Sequence, residues 1–344
     1  MNQEMTVFFP PRTTVLALPA WERPRLLFPD GGVRRRWQES SLYPASRWQG
    51  RAYRFFLRCK GILGLVEKQV SHRSNWEVGE FVWDILPEAT CAIVFVGPPG
   101  PAQKITIQLR DATDRVLGYV KYAEKPAAVR RLSREYQMLK ALPDNNLGPV
   151  PLKYGRLLNG EALVLSPLLG QPLPAKLPPP EELVALLATM STGLEYAVEE
   201  HPWINSILED KHQHLVSWIE NLGQRKWPVV LQHGDLAPWN VKKSPDGNAR
   251  LFDWEYAYLE GFPHLDLIYY ILRVAALIYR WTPLRAFRYT KTYLSKKFPS
   301  LSNREVDALV RLTAYVTYLQ SLEDGLPPDT PLLRWYRQLW EAKG

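Results

Sequence analysis

Between residues 90 and 165 the chain alternates short apolar, β-branched runs with clusters of turn residues. Ala92 to Val96 and Lys104 to Leu109 read as two strands joined by the Gly97-Pro-Pro-Gly100-Pro turn. Val116 to Tyr122 reads as a third strand after the polar Asp111 to Asp114 turn. Pro126 then opens a helical pattern carrying Val129, Leu132, Tyr136 and Leu139 on one face. Gly148-Pro-Val-Pro151 breaks that pattern, and Leu152 to Leu158 and Ala162 to Leu165 read as two more strands. Beyond Gly170-Gln-Pro172 the periodicity turns helical. It predicts helices over Pro180 to Tyr196 and Asp210 to Leu222, and four more between residues 264 and 342. Leu265 to Trp281 is the most apolar stretch, interrupted by Asp266, Arg273 and Arg280, and reads as a buried core helix rather than a bilayer span. The helical half has one interruption, where Val229 to Leu231 and Ala249 to Phe252 look like short strands around a polar loop. The first 60 residues show no clear period.

These patterns predict an α+β protein with a small five-stranded antiparallel unit (residues 89–168), a mainly helical one (169–344) and an N-terminal extension (1–88) partly packed on the small unit. At 344 residues the chain exceeds what one core usually organises. With 46% hydrophobic and 23% charged residues it is ordinary globular material, and no internal repeat stands out. Cys59 and Cys91 give neither a disulfide framework nor a metal cluster, and no secretory signal is evident, so a cytoplasmic location is expected.

The polar loop is where chemistry concentrates: His233-Gly-Asp235-Leu-Ala-Pro-Trp-Asn240, then a Pro245-Asp-Gly247 turn, then Phe252-Asp253-Trp254-Glu255. Phosphoryl transfer asks little of a protein beyond a carboxylate to take or orient the nucleophile's proton and oxygen ligands for Mg²⁺. Asp235, Asn240 and Asp253 supply that set, and an Asp five residues before an Asn is the spacing of a kinase catalytic loop. The alternative is an Asx-rich surface turn shaped by local hydrogen bonding.

These paired motifs resemble those of the aminoglycoside phosphotransferase and choline kinase superfamily, and the resemblance spans about residues 90 to 285. It implies a two-lobed, protein-kinase-like fold that uses ATP and Mg²⁺, with a hydroxyl of a small molecule as acceptor. Residue by residue, it implies Asp235 as catalytic base, Asn240 and Asp253 as metal ligands, and His233 and Gly234 as loop-shaping positions. Asp266 matches the family's carboxylate that braces the catalytic loop, or else it simply caps the next helix. Lys121, on the opposite strand face from Val120 and Tyr122, is implied to pair with Glu135 and contact the α and β phosphates. A surface lysine and a solvated glutamate are the plainer reading, and Glu124 is a competing partner. The Ser166 carbonyl and Leu168 N–H align with the adenine contacts of the segment joining the lobes. One departure is Gly97 to Lys104, where three prolines remove backbone donors from the phosphate-covering position.

Charge leaves the acceptor open. A net +8 favours anionic partners and sits poorly with polycationic aminoglycosides, although Glu199, Glu200, Glu209 and Asp210 cluster. Thirteen tryptophans permit an aromatic cage, with Trp239 and Trp254 expected nearest the site. Between residues 33 and 60, arginines alternate with Trp37, Trp48, Tyr53, Phe55 and Phe56. That basic arm could touch nucleic acid or an anionic membrane surface, or could simply pack on the small unit. A nucleotide-binding scaffold that uses the arm to hold an anionic partner is the alternative to a kinase.

Overall fold

The computed structural model describes residues 4–43, 48–143, 146–208 and 213–341. Glu209 and Asp210, singled out above, and Arg47 of the basic arm lie outside the described residues. The chain divides into two compact units, one of residues 1–140 and 149–167, the other of residues 141–148 and 168–344.

The first unit is built on an eight-stranded antiparallel sheet, where the sequence predicts five strands. The predicted five are β4 (Cys91–Val96), β5 (Ile105–Arg110), β6 (Val116–Ala123), β7 (Pro151–Leu157) and β8 (Gly160–Leu165). The other three come from the extension: β1 (Thr14–Leu18), β2 (Leu26–Pro29) and β3 (Glu67–Val70). They extend the sheet in the order β3-β1-β2-β4-β5-β6-β8-β7, with Leu26 opposite Phe95 and Leu27 opposite Val94. The expectation of an extension only partly packed on the small unit is therefore corrected for these segments, which are strands of its sheet. Strands of four or five residues show too few alternations to be read locally. What fixes them is the β4 edge, whose backbone groups need partners.

Between β2 and β3 the chain makes α1 (Gly32–Glu39) and α2 (Trp48–Ile62). Leu57 of α2 packs with Leu16, Leu18, Leu26, Phe28 and Ile93 on one sheet face. The other face carries the larger core, which includes Val15, Ala17, Val94, Val120, Tyr122 and Val164. It is sealed by α3 (Glu77–Val82) and by Trp76, whose Nε1–H donates to the Phe8 carbonyl at 2.9 Å. Period-two alternation in β6 sends Val120 and Tyr122 into that core and Lys121 to the opposite face. The helix α4 (Pro126–Ala141) begins at Pro126 as the sequence predicts.

The second unit is mainly helical. It holds α5 (Glu181–Thr189), α6 (Pro202–Leu208), α7 (Gln213–Glu220), α8 (Leu265–Leu277), α9 (Pro283–Lys297), α10 (Asn303–Glu323) and α11 (Pro331–Glu341). Helix α9 starts with Thr282 capping the Arg285 N–H and Pro283 in the first turn, and α10 starts with a Ser302/Glu305 capping box. The core of this unit gathers Trp203, Trp227, Phe262, Ile268, Ile271, Phe287, Leu309 and Tyr336. Helix α8 is apolar nearly all round because it is covered nearly all round.

One predicted helix is corrected. Pro180 to Tyr196 is helical only to Thr189. Residues Ser191–Tyr196 form β10, which pairs with β11 (Trp227–Gln232), Tyr196 opposite Trp227. Gly193, at φ +81°, breaks the helical pattern where β11 offers a ladder. The strand β14 (Tyr258–Gly261) covers the other side of β11. A second small sheet is formed by β9 (Gln171–Pro172), β12 (Val241–Lys243) and β13 (Ala249–Leu251), and the two halves of the polar loop enter β12 and leave β13. No helix among the described residues is long and apolar enough to cross a membrane.

Candidate active site

Strand β11 delivers the chain to His233, and the loop is shaped from there. Gly234 sits at φ +77°, and a Cβ at that position would lie 2.3 Å from the Tyr256 carbonyl oxygen, so only glycine fits. The His233 and Gly234 N–H groups both donate to Asp266, at 2.6 and 2.9 Å. Asp266 lies in the first turn of α8 and His264 is the cap residue, so the geometry gives Asp266 the bracing contact rather than the cap. Burial raises its carboxyl above the ordinary value, against the pull of those two N–H groups.

His233 ties two loops together. Its Nε2 lies 3.1 Å from the Phe252 carbonyl, and its Nδ1 accepts from the Asp235 N–H at 3.3 Å. Both contacts are satisfied at once by a neutral imidazole protonated on Nε2. The Phe252 N–H in turn donates to the Asn240 carbonyl at 3.1 Å. The segment carrying Asp235 and Asn240 is thus stitched twice to the segment carrying Asp253. Trp254, expected to border the site, is fully buried: its ring packs against His233 and its Nε1–H donates to the Leu251 carbonyl.

Asp235 is held from several sides. The Asn240 amide donates to its Oδ2 and to its main-chain carbonyl, both at 2.9 Å. The Tyr269 hydroxyl donates to Oδ1, and the Arg273 guanidinium stands 3.8 Å from the same oxygen. Arg273 Nε also donates to the Tyr269 hydroxyl at 2.7 Å. The Asp235 side chain keeps 18% of its surface exposed, so a ligand can reach it. Its pKa lies above the ordinary carboxylate value. Burial is the main cause and the Asp253 charge adds to it, while Arg273, Tyr269 and Asn240 act in the opposite direction. A carboxylate whose pKa is raised in this way is a stronger proton acceptor than a free aspartate. Burial pushes the Tyr269 phenol well above its usual range, so it remains a donor.

Tyr269 and Arg273 are site residues that the sequence reading misses. Their signal was present: Asp266, Tyr269 and Arg273 recur at i, i+3 and i+7 on one face of an otherwise apolar helix.

Metal fit can be judged from the donor set. Among the described residues no three His, Cys, Asp or Glu side chains come together as a metal cluster. The candidates are one carboxylate, Asp253, and one amide, Asn240. With its nitrogen committed to Asp235, Asn240 has its oxygen to offer a cation, and the repulsion that Asp253 exerts on Asp235 is of the kind a cation relieves. So sparse an oxygen set suits Mg²⁺, which keeps waters and phosphate oxygens in its shell. Asp253 holds a left-handed backbone, φ +74°, a conformation costly enough to occur mainly where surrounding structure imposes it.

In the first unit, Lys121 Nζ meets both carboxylate oxygens of Glu135, at 2.6 and 2.7 Å. Glu135 is fully buried on α4, and the competing Glu124 is bound instead by the Tyr122 hydroxyl at 2.6 Å. The proline-rich turn after β4 is braced within its own unit. The Gly97 N–H closes on the Lys104 carbonyl at 2.9 Å, and Lys125 Nζ reaches the Gly100 carbonyl at 2.7 Å. With prolines at 98, 99 and 101, that turn has few N–H groups to present. The chain passes from one unit to the other at Pro167 and Leu168. Ser166 is pinned to Val150 by two hydrogen bonds, at 2.9 and 2.8 Å, and the Leu168 carbonyl accepts from Lys242 Nζ at 2.9 Å. That pairing leaves the Leu168 N–H out of it.

No protein-family model matches the chain, and no curated protein matches it. Solved structures similar to it include a thermostable mutant of aminoglycoside phosphotransferase APH(4)-Ia in ternary complex with ADP and hygromycin B. That likeness has 12% identity and a TM-score of 0.48, covering 77% of this chain and 97% of the other. Plasmodium vivax ethanolamine kinase is similar at 13% identity and a TM-score of 0.43, covering 84% of this chain and 87% of its own. Aminoglycoside phosphotransferase APH(3'')-Id from Streptomyces rimosus, in complex with ADP and streptomycin, is similar at 16% identity and a TM-score of 0.35, covering 70% and 90%.

Proposed function

We propose that this protein transfers the γ-phosphoryl group of ATP to a hydroxyl of a small molecule: a sugar, a glycoconjugate, an amino alcohol or an aminoglycoside-like compound. The observation that carries this reading is the hold on Asp235: a carboxylate pinned by Asn240, pushed up by burial and still open to a ligand. Asp235 accepts the acceptor's hydroxyl proton as the new O–P bond forms. The bond between the γ-phosphorus and its bridging oxygen breaks, and the electron pair leaves with ADP. Asn240 and Asp253 would hold Mg²⁺, which when bound neutralises charge on the triphosphate. Lys121, oriented by Glu135, supplies positive charge to the α and β phosphates. The Ser166 carbonyl and Leu168 N–H serve the adenine. Asp266 and His233 act on none of these groups directly and keep the loops in register.

The test is acceptor-dependent ADP release from ATP and Mg²⁺ across a panel of sugars, glycoconjugates and amino alcohols, with the product identified by the mass gain of one phosphoryl group. Nucleotide binding without turnover on any acceptor would favour a scaffold, and equal turnover by the Asp235→Ala variant would remove Asp235 from its role.

A further inference from the structure

Helix α2 carries apolar side chains on its outward face as well as on the face that packs on the sheet. Tyr53, Leu57 and Gly61 face inward, where Leu57 is fully buried. The outward face, at i, i+1, i+4 and i+5 and again beyond, carries Arg51, Ala52, Phe55, Phe56, Ile62 and then Leu63. Phe55 is 64% exposed, Phe56 47% and Leu63 69%, and Leu65 in the following turn is 60% exposed. Trp37 joins them from α1, half exposed, with the Arg58 guanidinium 4.4 Å over its ring. Seven of the eighteen exposed large hydrophobic side chains among the described residues lie between 33 and 65, a concentration that scattered surface residues would not show.

The rim of this stripe is cationic. From Gly32 to Leu63 the sequence has seven arginines and one lysine against one acid, Glu39, although Arg36 is taken by Asp30 and Lys60 by the Pro19 carbonyl. Glu39 is buried and taken by Arg110, which donates to both its oxygens at 2.9 Å. Arg34 and Arg51 are exposed. Arg54 is shifted below its usual value, first by burial and then by the charges of Arg58 and Arg51, so these cations act on one another as like charges.

We infer that the outward face of α2 and the turn after it, Phe55, Phe56, Ile62, Leu63 and Leu65 with their arginine rim, dock this protein on the surface of a membrane containing anionic phospholipid. Helices that lie in the interface have this composition, with Phe and Leu entering the acyl boundary and arginines meeting lipid phosphates. A second copy of the chain fits worse, because a two-fold contact through this face would bring the arginines of one copy against those of the other. Nucleic acid fits worse too, because Ile62, Leu63 and Leu65 offer phosphates and base edges nothing.

The test is flotation of the full chain with phosphatidylcholine vesicles made with and without an anionic phospholipid. The unaltered protein is expected to float with the anionic vesicles and much less with the neutral ones. Phe55→Ser with Phe56→Ser should lower that partitioning at least about tenfold, since two exposed rings lose their place in the acyl boundary. Leu63→Ser with Leu65→Ser, placed beyond the helix, should lower it roughly fivefold with no change in thermal midpoint. Arg51→Glu should weaken binding to anionic vesicles alone. Failure of the unaltered chain to float would overturn the proposal, as would flotation unmoved by both apolar pairs. So would a preference for duplex or single-stranded nucleic acid over vesicles in competition, or a concentration-dependent dimer abolished by the same substitutions.

Discussion

Two charged constellations carry the proposed chemistry, and they are built on different plans. Lys121 and Glu135 form a close ion pair, a strand cation against a fully buried helix carboxylate. The loop around Asp235 spreads its negative charge over donors from several places: the Asn240 amide, the Tyr269 hydroxyl and the Arg273 guanidinium on Asp235, and two backbone N–H groups on Asp266. In the pair, Glu135 deprived of Lys121 is a fully buried carboxylate without its cation, so removing the lysine strikes the whole arrangement. In the loop, each donor carries only part of the load, so the arrangement can be trimmed and its properties tuned rather than lost. The comparison predicts which substitutions should destroy function and which should only shift it.

The largest effect should come from the one group the loop has no substitute for. Asp235→Ala is expected to lower turnover by roughly 10³-fold while leaving nucleotide affinity close to unchanged, as measured by ADP release and calorimetric titration. Equal losses in both would place Asp235 in binding instead.

The next two substitutions probe stability and set the two plans side by side. Lys121→Met leaves the Glu135 carboxylate buried without its lysine and should cost about 3 kcal/mol in urea unfolding, whereas Lys121→Met with Glu135→Leu should recover most of that stability and none of the activity. Asp266→Ala orphans the His233 and Gly234 N–H groups and should cost about 3 kcal/mol, with turnover falling as the loop loses its register.

A smaller effect separates the loop from the helix it leans on. His264, at the start of α8, packs against Phe298 with ring centroids 4.4 Å apart, and burial followed by the Arg225 charge lowers its pKa to about 4. An unfolded histidine takes its proton near pH 6.5 and this one does not until about pH 4, so the unfolded chain binds more protons between those values. Stability should therefore be full above pH 6.5 and fall by ~3 kcal/mol as pH drops toward 4, and His264→Phe should flatten that slope in unfolding series. The smallest change belongs to Tyr269→Phe. It removes a donor that holds the Asp235 pKa down, so the acid limb of kcat against pH should move to higher pH, with only a few-fold loss at neutral pH. A limb that stays in place would confine Tyr269 to packing.

Much of the site could be read along the chain because its parts are local. Asp235 and Asn240 are five residues apart, Asp253 follows across one hairpin, and Lys121 and Glu135 lie on a consecutive strand and helix. Tyr269 and Arg273 were harder, because an arginine in an apolar helix reads as an interruption until its partner, 38 positions upstream, is placed beside it. Trp254 was misread for the same reason in reverse: its neighbours in the motif are polar, but its ring is part of the packing.

By itself, then, the sequence determined what depends on neighbours along the chain: the strand and helix periods from 91 to 165, the four final helices, the loop spacing and the glycine at 234. Only the tertiary structure decided what depends on distant partners. It recruited residues 14–18, 26–29 and 67–70 into the sheet, turned 191–196 from helix to strand, and left Phe55, Phe56 and Ile62 of α2 facing outward. The reason is physical. A four-residue strand has too little intrinsic preference to declare itself, and takes its conformation from whichever edge supplies hydrogen bonds. A helix's own pattern says that it has an apolar face, but not which surface that face will meet.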